Sequence, residues 1–180
     1  HQFVRGKNMR HLVCGLVFIA ALTLSACGSN SAGSAAKTEP TPQATAAVAP
    51  VMPVLANENS DEGAQAFVKH FIDVSNYATI TGDTKLLRDY SEQSCAGCTI
   101  IIEYIDEIYE AGGYVKGNAW TLGPLSSSTV SGSAFVSVPI TTEAGVSLAR
   151  RGEKSKNIPA RSKPETFYFE LSHSNGEWQV

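Results

Sequence analysis

Apolar positions recur along this 180-residue chain with two different periods, and the change of period divides its folded part in two. From Ser60 onward, Ala64, Phe67, Val68, Phe71, Ser75 and Ala78 return at spacings of three and four, which lays them on one stripe of a helix. Ser60 offers a side-chain oxygen to the first free amides, Asp61 and Glu62 suit the positive end of the helix dipole, and Gly82 stops the element. Asp83 or Thr84 caps a short second helix carrying Leu86, Leu87 and Tyr90. A third helix runs from about Ala96 to Ala111. Its apolar side is Ile101, Ile102, Ile105, Ile108 and Tyr109, and Gly112-Gly113 ends it.

Past Gly113 the period falls to two. Tyr114 to Leu122 alternates around Trp120, Thr129 to Ile140 contains Phe135, Val136 and Val138, and Gly145 to Ala149 is a weaker strand. Phe167, Phe169 and Leu171 alternate again, and Ser174-Asn175-Gly176 reads as a hairpin turn leading to Trp178 and Val180. Helices followed by antiparallel strands predict an α+β fold. The expected architecture is three N-terminal helices packed on a curved antiparallel sheet of four to five strands.

The start of the chain carries neither period. Arg5, Lys7 and Arg10 precede an uncharged run from Leu12 to Leu24, 13 residues long. A membrane span needs about 20, so the run fits the apolar core of a secretory signal. Counted from Met9, that signal has 18 residues. Leu24-Ser25-Ala26-Cys27 resembles a bacterial lipobox, with a branched apolar residue, two small residues and a cysteine. In such signals the cysteine thiol receives diacylglycerol and a peptidase cuts before it. The resemblance therefore implies removal of residues 1–26 and lipidation of Cys27. It implies an extracytoplasmic address, with the chain anchored by lipid to the outer face of the cytoplasmic membrane, since two or three acyl chains hold stably. A plain secretory signal that happens to contain a cysteine is the alternative.

Residues 27–57 read as a linker of Gly, Ser, Ala, Thr and Pro, without an aromatic residue. Such composition buries too little apolar surface to order itself. Its coil dimension is roughly 30 Å, and its full stretch about 100 Å. Residues 58–180 remain for one α+β domain, long enough to bury about two thirds of its surface.

Charge then separates the two halves of that domain. The whole chain has 14 basic and 17 acidic residues, a net of −3; without Arg5, Lys7 and Arg10 the bases fall to 11 and the net to −6. An acidic domain excludes nucleic acid as a partner. Glu58 to Glu110 holds 11 acids against Lys69, Lys85 and Arg88. Arg150, Arg151, Lys154, Lys156, Arg161 and Lys163, by contrast, face Glu153 alone in a stretch that reads as a long loop. Its bland reading is a solvated hairpin. Its functional reading is a contact for anionic lipid headgroups or anionic wall polymer, and the linker favours the polymer by holding the loop away from the membrane.

Chemistry-bearing residues are few. Cys14 leaves with the signal and Cys27 takes the lipid, so Cys95 and Cys98 remain in an oxidising compartment where pairing is expected. Their place at a helix start is that of a redox pair, but no βαβ unit surrounds them, and a structural disulfide at the inter-helix corner is the preferred reading. No further cysteine or histidine pair completes a zinc site. His70 and Asp73 lie three apart at the flank of the first helix and read as a solvated pair rather than an acid/base pair. Asp106 and Glu107 read the same way, and His173, beside a turn, reads as exposed. Tyr77, Tyr90, Trp120, Phe135, Phe169 and Trp178 serve either as core or as the lining of a pocket.

Three helices followed by a strand meander, over about Asp61 to Val180, is similar to the nuclear transport factor 2-like fold, which implies a cone with an open mouth. A second resemblance rests on Phe67–Ile72, Asn76-Tyr77-Ala78, Thr81-Gly82-Asp83, Cys95-Ala96-Gly97-Cys98 and Tyr109-Glu110-Ala111-Gly112-Gly113. These stretches resemble the shared core of uncharacterised actinobacterial lipoproteins, which implies a cell-surface address and no known activity. The expected function is a non-catalytic envelope module, without cofactor or metal, that binds a ligand, an anionic wall polymer or an envelope protein. The alternatives are a small-molecule hydrolase or isomerase with a cone-shaped pocket, a thiol-disulfide oxidoreductase using Cys95 and Cys98, and a passive scaffold for surface display.

Overall fold

A computed structural model describes residues 47–180, so the predicted signal, Cys27 and the first part of the linker lie outside the described residues. The domain is organised around its first long helix, α1 (Asp61–Thr81). Ser60 Oγ accepts the Gly63 amide at 3.0 Å, and Gly82, at φ 79°, donates its amide to Ala78 O. The left-handed cap also needs glycine for space, because a Cβ there would lie 2.4 Å from the Tyr109 ring. Ahead of α1, Val54–Asn57 form a 3-10 turn inside the stretch read as linker, and it buries Ala56 completely. Two more helices follow, α2 (Lys85–Asp89) and α3 (Ala96–Glu110). Tyr109 ties α3 back to α1, its hydroxyl donating to Thr79 O at 2.9 Å.

Eight strands follow among the described residues. They are β1 (Tyr114–Gly117), β2 (Trp120–Leu122), β3 (Ser126–Val130), β4 (Ser133–Thr142), β5 (Gly145–Leu148), β6 (Lys156–Ile158), β7 (Arg161–Ser174) and β8 (Glu177–Gln179). They form two antiparallel sheets. One has the order β1-β5-β6; the other has the order β2-β4-β7-β8, with β3 also paired to β4. This mixed arrangement overturns the expectation of three N-terminal helices on one curved sheet of four to five strands, and with it the nuclear transport factor 2-like cone. The reason lies in short backbone reversals hidden inside alternating stretches. Gly117 and Asn118, at φ 69° and 62°, break the run from Tyr114 to Leu122, sending β1 to β5 and β2 to β4. Ser131 and Gly132, at φ 50° and 82°, likewise fold Thr129 to Ile140 into a hairpin. The basic stretch is not one loop either, since it contains β6 and the start of β7.

α1 lies against β1 of the smaller sheet and against β2, β3 and β4 of the larger. Phe67, Val68, Phe71 and Ile72 share one core with Val136, Val138, Ile140, Phe169, Leu171 and Trp178. Trp178, fully enclosed, donates its Nε1 hydrogen to Glu58 O at 2.9 Å. On the side of α1 facing the larger sheet, Asn76 makes a reciprocal pair of bonds. Its amide nitrogen donates to Trp120 O at 3.1 Å, and its amide oxygen accepts from Trp120 N at 2.8 Å. A helix side chain thus occupies the place of a strand neighbour for β2.

Because α1 is covered on several sides, its burial extends beyond the apolar stripe. His70 is only 2% exposed, which corrects the reading of a solvated His70–Asp73 pair; Asp73 itself stays exposed. The imidazole meets the Tyr90 ring edge-on at 5.3 Å, and its Nε2 has no hydrogen-bond partner among the described residues. Burial pushes its pKa below the ordinary histidine value, against a smaller upward pull from Asp73.

Two outcomes follow for stability. Asn76→Ala leaves the Trp120 N–H and C=O without partners and should cost about 1–3 kcal/mol. Urea unfolding would read this as a lower midpoint at unchanged slope, and an unmoved midpoint would refute the clasp. His70, favoured as the neutral form when folded, binds its proton more readily in the unfolded chain. Its contribution is therefore complete above about pH 6.5 and declines as pH falls through that value. His70→Phe, which keeps a ring against Tyr90, should flatten the change in Tm between about pH 7.5 and pH 5; an identical profile in the variant would remove His70 as its source.

Candidate functional site

The cationic residues that the sequence singles out cluster on and beside the smaller sheet. Arg150, Arg151 and Lys154 lie on the connection from β5 to β6, Lys156 opens β6, and Arg161 and Lys163 begin β7. All six are exposed. Of the six, only Arg161 forms an ion pair among the described residues, with Glu165 four positions on. The connection is held at its base where the Arg151 amide donates to Ala111 O at 3.1 Å, at the end of α3. Lys116 on β1 adds a further cation to this sheet, its Nζ 4.9 Å from the Tyr114 ring centre. Arg150 and Lys156 border a shallow cleft of 670 Å³ whose other wall carries Glu107 and Glu110. Glu153 lines it too, so three carboxylates face the two bases there; Arg151 and Lys154, on the rim of the connection, lie outside that lining.

A second concavity lies where the two sheets part company. Asn118, Trp120 and Thr142 face Ile158, Pro159 and Ala160 across a space of 570 Å³, closed behind by Phe167. The Trp120 and Phe167 rings stand 5.3 Å apart at 43° and form its apolar floor. Arg161 sits at the rim, with its amide donating to Thr142 Oγ1 at 3.3 Å. The geometry follows from two features already described: the Gly117-Asn118 reversal opens the space, and the Asn76 clasp fixes Trp120 at its mouth. Such a site can take a flat apolar group beside an anion. Among the described residues Arg161 is the only titratable side chain that lines it.

The six aromatic residues named as pocket candidates are dispersed. Trp120 alone lines the junction space. Tyr90 packs edge-on to Phe67 at 5.9 Å, Phe169 meets Phe71 at 6.1 Å, and Trp178 is enclosed beneath His173 at 4.6 Å. The Tyr77 hydroxyl donates to Asp83 at 3.3 Å. Phe135 points outward from the larger sheet and is 60% exposed. Sequence reasoning missed Asn118, Ile158, Pro159 and Phe167 as lining residues; the Gly117-Asn118 pair was the one available signal, a turn dipeptide inside an alternating run.

Cys95 and Cys98 are joined, with Cα atoms 5.3 Å apart. Cys95 caps α3, its sulfur accepting the Cys98 amide at 3.1 Å, and Cys98 is buried in the core. Closing so short a loop contributes about 2 kcal/mol and pins the corner between α2 and α3. Asp106 is engaged by Arg88 and by the Thr84 hydroxyl, and Glu107 is exposed. His173 is half-buried, with a ring nitrogen 3.1 Å from Asn57 O. Among the described residues no group of three or more His, Cys, Asp or Glu side chains is arranged to hold a metal ion. No helix among them is long and apolar enough to cross a membrane.

Comparison with curated proteins returns no match. Among solved structures, the chain is similar to the intermembrane-space region of the chloroplast protein ARC6. That likeness has 14% identity and a TM-score of 0.48, and it covers 68% of this chain and 93% of that one. Residues 35–180 match a family described as a family of unknown function, DUF6318. The match spans most of the chain, which therefore belongs to the DUF6318 family.

Proposed function

We propose that this chain is a non-catalytic binding module of the cell envelope, anchored outside the cytoplasmic membrane by lipid on Cys27, and that its cationic rim engages an anionic wall polymer. The observation that carries the binding half is the exposure of all six bases from Arg150 to Lys163, with only Arg161 in an ion pair among the described residues. A polymer that meets several such charges at once gains up to about 1 kcal/mol from each. The junction space beside Arg161 supports the same reading, since it offers apolar walls and one cation. The anchoring half rests on the order of basic start, short apolar run, Leu24-Ser25-Ala26-Cys27 and linker, and on the resemblance to actinobacterial lipoproteins. The composition of residues 27–53 reads as a tether long enough to clear the headgroups, which favours wall polymer over lipid as the partner.

Each half has its own test. The processed protein should begin at Cys27 with a diacylglycerol mass added, and Cys27→Ser should move it from the membrane fraction to the soluble one. An unmodified N-terminal residue other than Cys27 would refute the anchor. For the rim, the Arg150→Gln, Arg151→Gln, Lys154→Gln, Lys156→Gln variant should bind long-chain polyphosphate at least about tenfold more weakly at low salt, with a shallower salt dependence. Equal binding by the two proteins would exclude the rim as the contact.

A further inference from the structure

The chain crosses between its two sheets at residues 118–119, 143–144 and 159–160, and these crossings are not alike. The first two are laced together. Asn118 N donates to Ala144 O at 3.2 Å, and Glu143 N donates to Ala119 O at 2.9 Å. Glycines permit the contact, since a Cβ on Gly117 would lie 2.6 Å from Ala144 O and one on Gly145 would lie 2.8 Å from Asn118 N. The third crossing stands off. Ile140 is opposite Glu165 but Thr142 is opposite Arg161, so two steps along β4 answer four along β7. A surplus of this kind bends its strand. The junction space of 570 Å³ lies between that third crossing and the other two.

Its volume falls within the range of about 300–1,000 Å³ usual for small-molecule sites, and its lining has two characters. The floor is apolar. Trp120 and Phe167 have centres 5.3 Å apart and planes tilted by 43°, so they leave no slot for a flat ring between them and instead form a bed for a ring whose faces carry C–H groups. The edge is polar. The Asn118 amide offers donors and an acceptor, and the Thr142 hydroxyl accepts the Arg161 amide while keeping its own hydrogen to donate. Arg161 adds a guanidinium whose ion pair with Glu165 is exposed on both sides and therefore weak. Asn76 already holds the backbone of Trp120, so little ordering is needed when a ligand arrives. An apolar bed, neutral donors and acceptors at its edge and one cation match a pyranose that carries an acidic group.

We propose that the junction space seats one sugar residue of an anionic glycan. The pyranose lies on Trp120, its hydroxyls bond to Asn118 and Thr142, and its carboxylate or phosphate meets Arg161. This rests on the polymer reading and narrows it, because the partner of the cationic rim becomes a glycan and not a chain of bare phosphates. Arg161 belongs both to the rim and to the junction space, so the two contacts are continuous.

The test uses the full isotope-labelled chain in detergent, with the indole N–H signals of its two tryptophans as reporters in NMR spectra. Short oligogalacturonate and glucose 6-phosphate supply the carboxylate and phosphate forms of the sugar. Polyphosphate supplies charge without sugar, dextran supplies sugar without charge, and phenyl phosphate supplies a flat ring with charge. The anionic sugars should move the Trp120 signal and leave that of the enclosed Trp178 in place; movement by one of them alone names the acidic group. Asn118→Gly keeps the positive φ of that position and should weaken the anionic sugar at least about tenfold, with polyphosphate affinity held within about twofold. Glu165→Gln, which releases Arg161, should tighten the sugar. The proposal is overturned by a Trp120 signal that neither anionic sugar moves, that polyphosphate or dextran moves as far, or that phenyl phosphate moves at lower concentration. An Asn118→Gly loss shared equally by polyphosphate overturns it too. Polyphosphate bound equally by the four-base variant refutes the rim, whereas a silent Trp120 with rim binding intact refutes the sugar seat alone.

Discussion

The N–H and C=O of Trp120 itself face away from β4, whose bonds to this stretch are made by neighbours such as Ala119, which accepts the Glu143 amide. A strand in that position ordinarily needs another strand beyond it. Here it has Asn76 of α1, which supplies one donor and one acceptor at the required spacing. Much depends on that substitution of a side chain for a strand. It lets the sheet end at β2, leaving β1 to join β5 and β6 separately, and it registers α1 against the larger sheet so that Phe67, Phe71 and Ile72 meet the inward residues of β4 and β7. It also leaves the Trp120 ring directed toward Phe167, where the junction space forms.

Elements bounded by strong local chemistry were legible in the sequence. The Ser60 cap, the Gly82 stop and the Asn175-Gly176 turn lie where side-chain hydrogen bonding and positive φ place them. Sheet membership was not legible, because alternation has the same period on both sides of a reversal. The two halves of Tyr114 to Leu122 match a single strand as well as they match β1 and β2, and only Gly117-Asn118 marks the break. His70 failed for a different reason. A helical period identifies the most apolar face of α1, but it carries no information about whether its flank is roofed by a side chain such as Tyr90.

The candidate sites divide in the same way. Exposed charge is legible because six bases in fourteen positions cannot all be buried, and the structure leaves each of them in solvent. Aromatic residues carry no such constraint. Tyr90, Phe169 and Trp178 went to the core, Trp120 to the junction and Phe135 to the outside, and nothing in their spacing separates these fates.

The bond from Trp178 to Glu58, taken with the His173 ring beside Asn57, joins the point where α1 begins to the β7–β8 hairpin. In mechanical terms this is a bracket. Tension applied through the residues before Val54 meets the indole and the hairpin before it can draw on the first turn of α1. The load passes into a long β-ladder, whose many parallel bonds share it, instead of peeling a helix from its capped end one hydrogen bond at a time.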